Sequence, residues 1–303
     1  MDSQDAVDDR PAVGYEVRDR VATITLDRPE RGNALNVQLC AELVDALDRA
    51  DGDDGVAAVV LTGRGRNFCV GADLDEGFQH ADRQPSPRYE AFVERFGMID
   101  GVPRDAGGVV TLRMAAMLKP LVVAVNGAAV GGGASFLLPC DIRVLGESSR
   151  VGFVFPRRGI ASESAASWFL PRIVGMTRAT EWVLTGRLLS AQEVGAGGLA
   201  TVVVPDDELL TRAYGLAREI IDNTSTVAVG MARQLLWSML SAASPWDAHG
   251  VESVGVYDLA GRADVAEGVR AFLEKRSPRF PLRVPTDYPS YAPRWPERPS
   301  RGQ

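Results

Sequence analysis

The chain has 303 residues, enough to bury a full core, and its 46% hydrophobic residues, 24% charged residues and 31 glycines suit a globular protein rather than a disordered or fibrous chain. A net charge of -7 with no run of lysines or arginines weighs against a nucleic-acid partner. No stretch suits a membrane span, because the apolar run from Leu121 to Leu138 is broken by Asn126, Gly127 and a glycine triplet.

The first residues are acidic (Asp2, Asp5, Asp8, Asp9) and lack the basic and apolar parts of a secretory leader, so a cytoplasmic location is expected. Residues 15 to 26 alternate apolar and polar about Asp19-Arg20, the pattern of a two-strand hairpin. Asn36 to Ala50 carries Leu39, Leu43, Ala46 and Leu47 at helical spacing, a face that should pack on a sheet. Val56 to Leu61 reads as a buried strand. Residues 75 to 110 read as mixed loop and helix over a pocket. Leu121 to Val125 and Ile142 to Leu145 are further strands, and Ala134 to Leu138 could begin a helix. Repeated strand, turn and helix units without a GxGxxG motif predict an α/β architecture with no Rossmann dinucleotide site.

The later chain reads as helical. Ser162 is placed to cap a helix starting at Glu163, and Ser190 with Glu193 has capping-box spacing. Residues 207 to 221 and 226 to 242 show three-and-four spacing, and a helix from Asp264 carries Val265, Val269, Phe272 and Leu273 as one apolar stripe. The proline-rich end, with Phe280, Tyr288, Tyr291 and Trp295, predicts an extended arm lying over a surface, such as that of a neighbouring subunit. Four regions follow: an acidic disordered tail (1–12), an α/β core (13–205), a helical region (206–276) and the arm (277–303). Cys40, Cys69 and Cys140 fit neither a disulfide framework nor a zinc site and read as buried thiols.

Two segments carry the chemistry. Phe68-Cys69-Val70-Gly71-Ala72-Asp73-Leu74 and Val130-Gly131-Gly132-Gly133-Ala134-Ser135 place small residues where a ligand can approach the backbone. Each alone reads as a tight turn, whereas two such amides aimed at one carbonyl oxygen would make an oxyanion hole.

Together they resemble the enoyl-CoA hydratase/isomerase (crotonase) superfamily over about residues 15 to 280. Supporting stretches are Leu26-Asp27-Arg28-Pro29, Asn33-Ala34-Leu35-Asn36, Lys119-Pro120, Val125-Asn126-Gly127, Cys140-Asp141-Ile142, Leu170-Pro171-Arg172-Ile173-Val174-Gly175 and Glu267-Gly268-Val269 through Arg276. Each piece is common, and their order is specific. The resemblance implies a crotonase-like spiral of repeated ββα units with a C-terminal helical trimerisation region, an acyl-CoA substrate, no metal or redox cofactor, and a homotrimer or homohexamer. It implies that Ala72 and Gly132 donate to the thioester oxygen and that Ala34, Asp73 and Leu74 line the CoA groove. Arg28, Arg31 and Lys275 are candidates for the phosphates, or solvated surface charges.

The departures matter most. Family hydratases handle water with two glutamates, and those positions here are Ser135 and Phe155. Glu163 resembles the acid of some double-bond isomerases and aryl-CoA dehalogenases; in the first turn of a helix the dipole would keep it ionised, whereas burial would raise its pKa. A single base suffices to isomerise a double bond, so isomerase ranks above hydratase, with Ser135 or an acid from residues 75 to 110 as a means of holding water for hydration. Nucleophilic attack by Glu163 on an aryl-CoA ranks third. Arg157 and Arg158 would flank the acyl pocket, with a surface role preferred to binding a carboxylated acyl group. A serine hydrolase using Ser135 with His249 or His80 lacks the GxSxG elbow, since position 137 is Leu. A non-catalytic binding protein of the same fold is the other alternative.

Overall fold

A computed structural model describes residues 10–75 and 85–296; the acidic start, His80 and part of the predicted loop over the pocket lie outside the described residues. The predicted hairpin forms from β1 (Val13–Arg18) and antiparallel β2 (Val21–Leu26). Its two-residue turn puts both Asp19 (φ 49) and Arg20 (φ 66) in the left-handed region, the twist-matched geometry of short hairpins. Helix α1 (Val37–Gly52) starts where Asn36 Oδ1 accepts the Leu39 N–H, and it buries Leu39, Leu43 and Leu47. Strand β3 (Ala58–Gly63) pairs parallel to β2. Helix α2 (Pro87–Phe96), a small hairpin of β4 (Met98–Ile99) and β5 (Val102–Pro103), and helix α3 (Ala106–Ala116) make up the described part of the segment that sequence left mixed.

Two ββα units follow. The first is β6 (Leu121–Val125), β7 (Ala128–Val130) and the single turn α4 (Gly132–Ser135). The second is β8 (Ile142–Gly146), β9 (Arg150–Gly152), a 3-10 turn Phe155–Arg158, and α5 (Ala166–Val174). In each, the first strand joins a six-stranded sheet and the second a three-stranded one. After α6 (Met176–Thr185) come β10 (Leu189–Ser190), α7 (Ala191–Ala196) and β11 (Val202–Val204). The large sheet runs β1-β2-β3-β6-β8-β11, parallel except for the hairpin, and the small one runs β10-β9-β7. In the large sheet, the all-buried strand Leu121–Val125 explains the continuous apolar run.

Helices α8 (Leu209–Asn223), α9 (Thr226–Ser238), α10 (Pro245–Ala260) and α11 (Ala263–Leu273) complete the C-terminal region. None of the described helices is long and apolar enough to cross a membrane. Three expectations need correction. The helix after Glu163 starts three residues later, at Ala166, and Ser162 does not cap it. The helix predicted from Ala134 is one turn, already begun at Gly132. The proline-rich end contains one helical turn, α12 (Val284–Asp287), with its proline in the first turn, where the missing N–H breaks no bond.

The arm folds on its own chain. Trp295 packs edge-on to Trp168 and stacks on Phe169, while Asp264 and Glu267 of α11 accept the Leu282 and Arg279 N–H groups. The three cysteines are free and buried, and burial pushes the Cys69 thiol up to about 12.

Candidate active site

A cleft of about 390 Å³ opens between the segment 70–75, the start of α4 and the loop before α5. Its floor is backbone. Leu35 donates its N–H to Gly71 O at 2.8 Å and accepts the Asp73 N–H at 2.8 Å, so the Ala72 amide between them faces the opposite way. On the other segment, the Gly131 N–H goes to Gly152 O, and Gly132 begins a helical turn, where an N–H has no partner four residues back. No acceptor for the Ala72 or Gly132 N–H is found among the described residues. The two turns touch through the glycines that precede these residues. A β-carbon on Gly71 would stand 2.9 Å from Val130 O, and one on Gly131 would stand 3.7 Å from Gly71 Cα. Any side chain at position 71 would wedge the segments apart.

Glu163 lines the same cleft. Its Oε1 would lie 3.1 Å from a β-carbon on Gly132, so its carboxyl stands directly beside that residue. Ser164 (φ 58) and Ala165 (φ 54) adopt left-handed backbone after it, and this keeps Glu163 out of the helix. Asp105, at the N-terminus of α3, holds that turn: its two oxygens accept the Gly107 N–H at 3.0 Å and the Ser164 N–H at 2.5 Å. Thr111 Oγ1 adds a bond to Ser164 O at 2.9 Å. Glu163 therefore lies outside the first turn of α5, where that helix's dipole was expected to keep it ionised. Burial, with the Asp105 charge second, pushes its carboxyl up from 4.5 to about 7.

The other sequence-predicted residues divide. Ala34, Asp73, Leu74, Arg31 and Phe155 line the cleft. Asp73 is paired with Arg28 at 3.0 Å, and Arg28 also donates to Ala34 O at 2.7 Å, so this pair braces the cleft wall from behind. Arg31 pairs with Asp75 at 2.7 Å. Lys275 is exposed at the end of α11 and does not line the cleft. Ser135 is buried and its hydroxyl turns back to Gly131 O at 3.3 Å, away from the cleft. His249 lies exposed on α10 against Trp246, and no hydrogen bond joins it to Ser135. That removes the serine-hydrolase geometry for this pair. Asp105 escaped sequence reading, although Asp105-Ala106-Gly107 before the apolar Val109-Val110 is a helix-start pattern.

A family model described as enoyl-CoA hydratase/isomerase matches residues 16–283. The chain belongs to this family. An enoyl-CoA hydratase of Alternaria alternata is 39% identical over 263 residues, covering 86% of this chain and 83% of the relative. The 1,2-epoxyphenylacetyl-CoA isomerase of Escherichia coli is 36% identical over 262 residues, covering 86% of this chain and 94% of the relative. The crystal structure of an enoyl-CoA hydratase from Mycobacterium tuberculosis superposes with a TM-score of 0.76 at 30% identity, covering 89% of this chain and 99% of that one. The fold is thus the α/β crotonase fold with mixed sheets and C-terminal helices, and the chain is an enoyl-CoA hydratase/isomerase family enzyme. Family membership implies an acyl-CoA substrate, and it displaces the reading of a non-catalytic scaffold.

Proposed function

We propose that this enzyme shifts a double bond within an acyl-CoA thioester. The N–H groups of Ala72 and Gly132 hold the thioester oxygen, and Glu163 takes a proton from one carbon and returns it at another. Negative charge gathers on the oxygen in the enolate, where fixed amides in a water-poor cleft stabilise it most. The observation that carries the reading is the state of the cleft carboxylates. Asp73 and Asp75 are each tied to an arginine, whereas Glu163 has no such partner among the described residues and titrates near 7. A base of that strength is half ionised at neutral pH and gives the proton back readily.

Hydration is the second reading, favoured by relatives named as hydratases at up to 39% identity. Against it stand Ser135 and Phe155, which offer the water no second carboxylate. We further propose a homotrimer, since the C-terminal helices expose Trp246, Tyr257 and Phe272.

The test uses crotonyl-CoA and a 3-enoyl-CoA followed by ultraviolet absorbance. Growth of the conjugated thioester signal from the 3-enoyl substrate is the expected result, with little loss of signal from crotonyl-CoA. Glu163→Gln should lower the rate by about 100-fold or more, the usual contribution of a positioned acid–base group, while still binding substrate. Unchanged turnover by this variant would rule Glu163 out as the base.

A further inference from the structure

The two walls of the cleft differ in their charge balance. On the wall built by residues 28–75, Arg31 pairs with Asp75 and Arg28 with Asp73, so each of these cations already has its anion. The wall built by residues 154–163 presents the apolar side chains of Val154, Phe155 and Ile160, and two charged ones, Arg158 and Glu163. Arg157 is turned aside, its Nε donating to Thr185 O at 2.8 Å. Arg158 makes no hydrogen bond or ion pair among the described residues. No hydrogen bond or ion pair joins it to Glu163 among the described residues.

The reacting carbons have to lie between Glu163 and the amides of Ala72 and Gly132, so the rest of the 154–163 wall meets the acyl group. An apolar lining that carries one unneutralised cation, Arg158, exposed at the solvent side, fits a methylene chain that ends in an anion. We propose that Arg158 binds a carboxylate at the far end of the acyl chain, which makes the substrate class an acyl-CoA with a negatively charged tail. This rests on the acyl-CoA reading above and narrows it. CoA phosphates carry the same charge, and the experiment separates the two sources.

Dissociation constants for glutaryl-CoA and pentanoyl-CoA, which have equal carbon number and differ in a terminal carboxylate against a methyl, are measured by calorimetry. Wild type should bind glutaryl-CoA more tightly. Arg158→Leu should lose about tenfold or more on glutaryl-CoA, as expected of a charge-assisted hydrogen bond, and little on pentanoyl-CoA; Arg158→Lys should recover part of the loss. Equal losses on both ligands would assign Arg158 to the phosphates and overturn the proposal. No loss on either, or no wild-type preference, would leave it a solvated cation and overturn it too. Failure of wild type to bind either thioester would instead sink the acyl-CoA reading itself.

Discussion

At the residue scale, Glu163 works through a compromise between proximity to substrate and the penalty for holding a charge there. Burial disfavours the carboxylate, and the nearby Asp105 charge adds to this, placing its pKa at about 7 instead of 4.5. Only the ionised form can accept a proton, so the rate should climb as pH rises through about 7 and level off above it. Asp105→Asn removes the like charge and should move the rising limb to lower pH, as read from kcat/KM against pH on a 3-enoyl-CoA. The same carboxylate anchors the Ser164 N–H, so the variant also loosens the turn. A merely structural role for Asp105 would lower the plateau and leave the limb where it is.

At the element scale, the backbone path matters more than any one side chain. Gly132 opens α4 with Leu35 on one side and Glu163 on the other. A methyl placed there would stand 2.5 Å from Leu35 Cδ1 and 3.1 Å from Glu163 Oε1, and helical backbone itself tolerates alanine. Gly132→Ala should therefore cost about 1–3 kcal/mol of stability through overpacking, yet lower kcat more than tenfold by displacing the base or the amide, roughly 1.4 kcal/mol or more in the barrier. Thermal melts alongside kinetics check it, and an intact kcat would show that the site absorbs the methyl. Local signals made much of this scale legible in sequence. The helical spacing of Leu39, Leu43 and Leu47 marked α1, and the alternation around Asp19-Arg20 marked the hairpin. The start of α5 was not legible, because Ser164 and Ala165 are held left-handed by Asp105, 59 residues earlier in the chain. Nearest-neighbour patterns carry no record of such a tie. Separation in sequence likewise hid which charges balance, since Arg28 pairs with Asp73, 45 residues further along.

At the scale of the whole molecule, the helical end leaves large apolar side chains exposed. Periodicity in α11 marked Val265, Val269, Phe272 and Leu273 as a stripe, ordinarily a buried face. In the folded chain all four are exposed, Phe272 by 82% and Leu273 by 73%, while the polar Asp264 and Glu267 are buried holding the arm. Helix α10 buries only Gly255 and leaves Val256 and Tyr257 exposed by 72% and 87%, which explains why no one-sided pattern announced it. Apolar surface of this kind marks an interaction site, and each large side chain transferred to an interface contributes about 1.5–3 kcal/mol. A second and third copy of the chain are the covering we propose. Sedimentation should then give three times 32.5 kDa, about 97 kDa, at micromolar concentration. A double variant, Tyr257→Asp with Phe272→Asp, should sediment as a folded monomer, because a carboxylate at each contact removes apolar burial and adds like charges related by symmetry. A wild-type species at 32.5 kDa would mean that these helices meet a different partner, or none.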